Sequence, residues 1–139
     1  MKKAVLFLAI LFAASGCEVS ENEGNADASD PIIGSWKLTS VTNNNIQVSL
    51  QSCERSTYYN FSAGGAQISG EKFIYHLNIH DCTSEPIVGR WGNDNGHYYI
   101  ISNYNTQSTR WSDVKITETS MVATSVHNSV TTVLVWKKF

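Results

Sequence analysis

Apolar and polar positions alternate in short runs along most of this chain, and the spacing typical of an amphipathic helix is almost absent after residue 30. The first run, GSWKLTSVT from Gly34 to Thr42, places Trp36 and Leu38 on one face and Val41 on the other. Later runs rich in β-branched and aromatic residues are predicted strands at 56–62, 66–79, 87–91, 97–102, 110–118, 121–127 and 130–137, and the run 66–79 is either one strand or two strands divided at Gly70. The pattern therefore predicts an all-β domain of about eight strands.

Turn-forming residues separate nearly every neighbouring pair of these runs. Glycines at 64–65 and the Asn-Gly-rich segment 92–96 are hairpin signals, while residues 81–86 and 103–109 are polar and predict loops. Sequential hairpins without a long crossover favour an antiparallel meander. Closing this meander into a small up-and-down barrel hides its edges most completely, and a β-sandwich is the alternative fold.

The first sixteen residues have the pattern of a signal peptide. Lys2 and Lys3 precede an apolar run of about ten residues, half the length of about twenty that a membrane-spanning helix needs. The run ends in Ala14-Ser15-Gly16-Cys17, which resembles the lipobox of bacterial lipoproteins. We therefore expect cleavage before Cys17 and attachment of fatty acyl chains such as palmitate to it. The alternative is an ordinary signal peptide cut nearby, which leaves Cys17 as a free thiol.

Residues 17–30 read CEVSENEGNADASD, with five acidic residues, no basic one and few apolar side chains. Such a composition predicts a solvated tether between the lipid and the folded domain. Glu18 stands where an aspartate is commonly associated with retention in the inner membrane, so we expect a lipid-anchored protein of the outer membrane, facing either the periplasm or the cell surface. The predicted organisation is a signal peptide at 1–16, a tether at 17–30 and a barrel domain at 31–139.

The predicted domain has about 109 residues, which is enough for one modest core. Its eight lysines and arginines nearly balance its seven aspartates and glutamates, so the acidity of the chain belongs to the tether. No basic patch with interleaved aromatic residues occurs. This argues against nucleic acid as a partner.

Two cysteines remain after Cys17 is assigned to the lipid. Cys53 and Cys82 form an even pair in a chain predicted to be secreted, for which a disulfide is the default. Closing a loop of about thirty residues would stabilise the fold by roughly 3 to 4 kcal/mol. Two free thiols or a metal pair are the alternatives.

Metal and catalytic sites receive little support from the sequence. His76 and His80 are four residues apart, but on the strand predicted through residue 79 that spacing spans about 13 Å, too far for two ligands of one zinc ion. The chain has neither a Gly-x-Ser-x-Gly elbow nor a spacing that nominates a Ser, His and Asp set. We therefore predict no metal, no cofactor and no enzyme activity.

Several of these residues together resemble the lipocalin-like domains of small bacterial outer-membrane lipoproteins. The resemblance rests on IGSWKLTSV at 33–41, on Cys53-Glu54 followed by YYNF at 58–61, on Gly89-Arg90-Trp91 and on a C-terminal strand rich in Val and Thr. It implies a barrel closed at one end by Trp36, and a bond between Cys53 and Cys82. True lipocalins carry a late arginine over this tryptophan. Here only Lys137, Lys138 and, less directly, Arg110 are available.

Aromatic residues supply the candidate ligand site. Trp36, Trp91 and Trp111 are predicted to line a pocket or to plug the barrel, and Trp111, in a polar segment beside Arg110, is expected to be the most exposed ring. The first functional hypothesis is a barrel that binds a small hydrophobic ligand. The alternative is a surface interaction or structural module with a packed barrel, which presents loops such as 103–109 to a protein partner that the sequence does not identify.

Overall fold

The computed structural model describes residues 29–103 and 108–139. Within these residues the chain forms ten strands and two short 3-10 helices, Glu54–Ser56 and Gly64–Ala66. The strands are β1 (Gly34–Asn43), β2 (Ile46–Gln47), β3 (Tyr58–Phe61), β4 (Gln67–His76), β5 (Asp81–Asp94), β6 (His97–Ser102), β7 (Ser108–Arg110), β8 (Asp113–Ile116), β9 (Ser120–His127) and β10 (Val130–Lys138).

All the strands belong to one antiparallel sheet in the order β7-β6-β5-β4-β3-β1-β10-β9-β8, with β2 paired to β1 alone. Apart from β2, strands that follow each other in the chain are paired, except β7 and β8, which pair with β6 and β9 respectively and not with each other. The last strand returns to the first, since β10 pairs with β1 from Trp36↔Lys138 to Asn43↔Thr132. This is the predicted meander.

The two ends of this strand order, β7 and β8, meet at a two-residue link. The Trp111 N–H donates to the Tyr98 carbonyl of β6 at 3.0 Å, and the Ser112 N–H donates to the Thr124 carbonyl of β9 at 2.7 Å. The strands β7 and β8 are thus two halves of one strand that changes partner at this link. Counted in this way the sheet is an eight-stranded up-and-down barrel, and the predicted fold class is confirmed.

Alternation along each strand sends one set of side chains into the barrel. The buried apolar side chains come from the long strands, from β3, from the segment before β1, from the second 3-10 helix and from the link at 111–112; they are Ile32, Trp36, Leu38, Phe61, Ala66, Ile68, Trp91, Tyr98, Ile100, Trp111, Met121, Ala123 and Trp136. A register shift in β1 between Leu38 and Ser40 changes which residues point inward. Because of this bulge Val41, predicted on the opposite face from Trp36, packs against the same core.

Two-residue turns with positive φ close three of the hairpins. They occur at Asn44-Asn45, Asn95-Gly96 and Asn128-Ser129, where asparagine and glycine tolerate the left-handed region. The Asn95-Gly96 turn confirms the hairpin predicted at 92–96. We call the end of the barrel with Trp36 and this turn the closed end, and the end with the turns at 44–45 and 128–129 the open end.

The hairpin of β4 and β5 differs from the prediction. The segment 81–86, predicted as a polar loop, belongs to β5, and residues 77–79, predicted as strand, form the turn at the open end. Proline has no backbone N–H to donate to a neighbouring strand. Pro86 can nevertheless lie within β5, because among the described residues β6 pairs with β5 only from Gly89 onward, so that no strand is paired to this edge of β5 at Pro86.

Candidate functional site

The open half of the barrel contains a cavity of about 520 Å³, which we call the outer compartment. It lies between the inward faces of β3 to β7 and β10. Its walls are mainly apolar, with one lysine and one glutamate among them; the lining residues are Tyr59, Lys72, Glu85, Pro86, Ile87, Ile100, Ser102, Thr109, Trp111 and Leu134. This size falls in the range of about 300 to 1,000 Å³ that small-molecule sites occupy.

A second cavity of about 290 Å³, the inner compartment, adjoins the first. Its lining residues are Leu38, Val41, Leu50, Glu54, Thr57, Tyr59, Lys72, Phe73, Leu134 and Trp136. Three of them, Tyr59, Lys72 and Leu134, also line the outer compartment, so the two spaces meet there.

Loop residues complete the wall of the inner compartment because β3 is only four residues long. Leu50, Glu54 and Thr57 precede this strand and lie beside β1 and β4. The buried Thr57 fixes the loop, since its hydroxyl accepts a hydrogen bond from the Phe73 N–H of β4 at 3.0 Å. This wall of the cavity is therefore a loop held to a strand.

The predicted disulfide between Cys53 and Cys82 is confirmed, with 6.4 Å between the two Cα atoms. It joins the loop before β3 to the start of β5, next to the residues that line the inner compartment. The bond closes a loop of 29 residues and on the chain-entropy model contributes roughly 3 to 4 kcal/mol. It therefore fixes a segment that has few strand contacts of its own.

Stacked aromatic rings form the floor beneath the cavity. The rings of Tyr59 and Trp136 lie 4.6 Å apart, and the Phe61 ring meets Trp91 edge-on at 5.9 Å and Trp111 at 6.3 Å. Contacts of this geometry contribute about 0.5 to 1.5 kcal/mol each beyond the area they bury. The floor separates the open half from a solid closed half.

Trp36 fills the closed end of the barrel. Its side chain is fully buried, and its indole N–H donates to the Ile32 carbonyl at 2.7 Å. The Lys138 ammonium lies 5.3 Å from the centre of the ring, a cation–π distance. Lys138 thus occupies the place that the resemblance gives to an arginine, whereas Arg110 lies over Tyr99 instead.

Asp30, the last residue of the predicted tether, is hydrogen-bonded to the barrel. Its carboxylate accepts from the Tyr98 hydroxyl at 2.7 Å, from the Asn93 amide at 2.9 Å and from the Ile32 N–H at 3.0 Å. Burial, this hydrogen bond and the negative charge of Asp30 raise the pKa of Tyr98 above its usual value near 10. Asp30 therefore fixes the point at which the chain enters the closed end.

The other two predicted tryptophans have different roles. Trp91 is buried, and its indole N–H donates to the Ser62 carbonyl at 3.0 Å; it belongs to the closed half and lines neither compartment. Trp111 lines the outer compartment. The expectation that Trp111 is exposed was wrong, because only 2% of it is accessible. The partner switch at 111–112 turns this ring inward although its sequence neighbours are polar.

Sequence reasoning missed most of the cavity wall, including Lys72, Ile100 and Leu134. For Lys72 the sequence contained a usable signal. Ile68, Gly70 and Lys72 occupy alternate positions of one strand, so Lys72 lies on the same inward face as the apolar Ile68. A charged residue on the apolar face of a strand marks a site or an opening. Gly70 interrupts the run 66–79 and makes the face of Lys72 ambiguous in the sequence.

The two histidines that suggested a metal site flank the turn between β4 and β5. His76 pairs with Asp81 across the hairpin, so His76 and His80 lie on opposite sides of one turn and the strand-length argument against a shared ligand was wrong. Each ring is instead engaged elsewhere, His76 with the Thr83 hydroxyl at 2.9 Å and His80 with the Tyr75 hydroxyl at 3.1 Å. No group of three or more potential ligands occurs in residues 29–103 and 108–139.

Cys17 and the whole of segment 1–28 lie outside the described residues, as do residues 104–107 of the loop predicted to meet a partner. The lipid anchor and that loop therefore stay predictions. Among the described residues no helix is long and apolar enough to cross a membrane.

Comparison with known proteins places this barrel in a family. A model of the lipocalin-like domain matches residues 32–123, about two thirds of the chain. No curated protein matches. One solved structure, Odorant Binding Protein OBP1, aligns with a TM-score of 0.48 at 14% identity, covering 83% of this chain and 75% of that one. The extent of the family match, together with the barrel and its tryptophan plug, shows that the chain belongs to the lipocalin-like domain family.

Proposed function

We propose that this protein is a lipid-anchored binding protein that holds a small hydrophobic ligand in the open half of its barrel. The observation that carries the proposal is the pair of joined compartments above a closed aromatic floor. Apolar walls with a few polar groups are the usual lining of a ligand site. The proposal assigns binding rather than catalysis to the chain.

The size of the cavity supports binding over the alternative of a packed module. A barrel used only as a structural unit gains stability from filling its interior, since each unfilled volume forfeits packing energy. In this chain the closed half is filled by large aromatic side chains, but among the described residues the wall of the outer compartment has no aromatic ring from β4, β5 or β6. Ile87 and Ile100 stand at its wall instead.

A fluorescence titration with N-phenyl-1-naphthylamine tests the binding step. This uncharged probe brightens in an apolar site, so saturable brightening is the expected result. Leu134→Trp places a larger ring where the two compartments meet and is expected to weaken probe binding by about tenfold or more, a loss of roughly 1.4 kcal/mol. Ile101→Trp is the matched control, because Ile101 is 43% exposed on the outer face of the barrel.

A second variant tests the same site in case Leu134→Trp fails to fold. Ile100→Phe enlarges another residue of the outer compartment by a smaller volume and is expected to weaken probe binding as well. If neither variant changes probe binding while both remain folded, the probe binds elsewhere. Absence of binding to the wild-type protein would favour the packed interaction module.

The anchor in this proposal is the lipidated Cys17 predicted from the sequence, and the outer membrane is the proposed location. Cys17→Ser removes the thiol that would carry the lipid. The variant is expected to leave the membrane fraction as a soluble or uncleaved species. A cleaved variant that still needs detergent for extraction would overturn the anchor without touching the binding proposal.

A further inference from the structure

Among the described residues, three line both compartments, and two of these three carry hydrogen-bond donors. Tyr59 and Lys72 face both spaces together with the apolar Leu134. Donors at such a junction can hold the head of a molecule whose chain occupies a compartment. These two side chains are therefore the candidate contacts for the polar head of a ligand.

The register of β3 and β4 places the two side chains close to each other. Tyr59 pairs with Gly70, and Lys72 lies two residues further along the same face of β4. Such diagonal neighbours are about 7 to 8 Å apart, within reach of long side chains. Gly70 supplies no side chain to separate them, and a Cβ there would collide with the Tyr58 carbonyl.

The Tyr59 hydroxyl has no hydrogen-bond partner within residues 29–103 and 108–139. Its ring is held by Trp136, which fixes the direction of the phenol. Burial raises the pKa of Tyr59 to about 12, so the phenol keeps its proton over the physiological range and can donate. The Tyr59 hydroxyl is not completely buried. Among the described residues, the one completely buried side-chain polar atom without a hydrogen-bond partner is the Trp136 indole nitrogen.

The Lys72 ammonium also has no ion-pair partner among residues 29–103 and 108–139. Glu85 stands directly opposite Lys72 on β5 but is not within 4.0 Å. Lys72 is therefore a cation beside an apolar cavity with its charge available to a ligand.

We propose that Lys72 and Tyr59 together bind the carboxylate of a long-chain fatty acid, with the acyl chain in the compartments that they join. The inference rests on the proposed function and specifies its ligand class. Glu85 lines only the outer compartment and Glu54 only the inner one. Their charges disfavour a carboxylate deeper in either space, which leaves the junction as the position for the head.

Competition against N-phenyl-1-naphthylamine with dodecanoate and 1-dodecanol tests this assignment. The two competitors have the same chain, and only dodecanoate carries the charge. Lys72→Met is expected to weaken dodecanoate binding by about tenfold, and Tyr59→Phe by a few fold, because each removes one donor to a charged acceptor. Binding of 1-dodecanol is expected to stay within about twofold.

Matched controls are available on the outside of the barrel. Lys37→Met removes a charge from an exposed lysine of β1, and Tyr58→Phe removes a hydroxyl from a ring that meets Phe139 edge-on. Neither residue lines a compartment, so neither change is expected to alter the binding of dodecanoate. Near-ultraviolet circular dichroism checks that all four variants keep the native packing.

A third variant gives an effect of opposite sign. Glu85→Gln removes the negative charge opposite Lys72 and is expected to strengthen dodecanoate binding by a few fold while leaving 1-dodecanol unchanged. A variant that merely disturbs the wall of the cavity would weaken both competitors. The gain for the acid alone is therefore specific to the charge.

The possible outcomes separate this inference from the proposed function. Equal binding of acid and alcohol, unaffected by Lys72→Met, overturns the carboxylate site and leaves a hydrophobic binding protein. Tighter binding of dodecyltrimethylammonium than of dodecanoate overturns it as well. If no competitor and no probe binds, the proposed function itself fails.

Discussion

The same strands build both halves of the barrel, but the closed half is packed with hydrogen-bonded side chains and the open half contains a cavity. In the closed half, the indole N–H groups of Trp36 and Trp91 donate to carbonyl groups, and the Asp30 carboxylate accepts three hydrogen bonds. In the open half, Tyr59 and Lys72 have donors without partners among the described residues, and both side chains line the two compartments. The difference indicates that the closed half and the disulfide supply the stability that allows the open half to keep a cavity.

Truncation of Trp36, the plug of the closed half, should cause the largest loss of stability. Trp36→Ala removes a fully buried ring and its contact with Lys138, so we expect a loss of about 3 to 5 kcal/mol in the free energy of unfolding, measured by urea denaturation. Ile101→Ala on the outer face is the control and should change this value by less than about 0.5 kcal/mol. A loss of similar size from both variants would contradict the assignment of stability to the closed half.

Loss of the disulfide, which lies at the open end of the barrel, should have the second largest effect on stability. Replacing Cys53 and Cys82 with serine is expected to lower the free energy of unfolding by about 2 to 4 kcal/mol, because the unfolded chain regains a loop of 29 residues. Probe binding at low denaturant should weaken too, since Glu54 and Leu50 then lose their tie to β5. An unchanged midpoint after reduction of the wild-type protein would show that the bond constrains nothing.

Asp30 tests whether the segment before β1 belongs to the closed half. Asp30→Ala leaves the Tyr98 hydroxyl and the Asn93 amide without their acceptor, and we expect a loss of about 1 to 3 kcal/mol. Binding of N-phenyl-1-naphthylamine should be unaffected, since Asp30 lines neither compartment. Weakened probe binding in a stable variant would show that the two halves are coupled.

Alkaline pH offers a smaller and more selective perturbation. The pKa values of Tyr59 and Tyr98 are raised in the folded state, so the native protein holds these protons more tightly than the unfolded chain does. Their contribution is complete below pH 10 and is lost as the pH rises through the folded values, about 12 for Tyr59. Denaturation at pH 9, 10 and 11 should show this decline. Tyr59→Phe and Tyr98→Phe should each flatten this decline. Asp30→Asn should reduce the part due to Tyr98 without abolishing it, because burial is the largest cause of the raised pKa of Tyr98.

Much of the closed half could be predicted from local sequence, and much of the open half could not. Alternation in β1 and the glycine before Trp36 indicated the plug, and the even pair of cysteines indicated the disulfide. The partners of Asp30 are 63 and 68 residues away, and no local pattern reveals them. Trp111 is buried through a change of strand partner that depends on closure of the whole sheet. A cavity is the space left between such distant residues, so it appears only with the fold.

The indole N–H groups of the four tryptophans allow the division into halves to be tested in one experiment. Titration of the isotope-labelled protein with 1-decanol, followed by two-dimensional nuclear magnetic resonance, should shift the signals of Trp111 and Trp136, which line the compartments. The signals of Trp36 and Trp91, whose N–H groups are bound to carbonyls in the closed half, should stay in place. Saturable shifts at Trp36 and Trp91, or no shift at any of the four, would contradict a barrel that binds ligand in its open half alone.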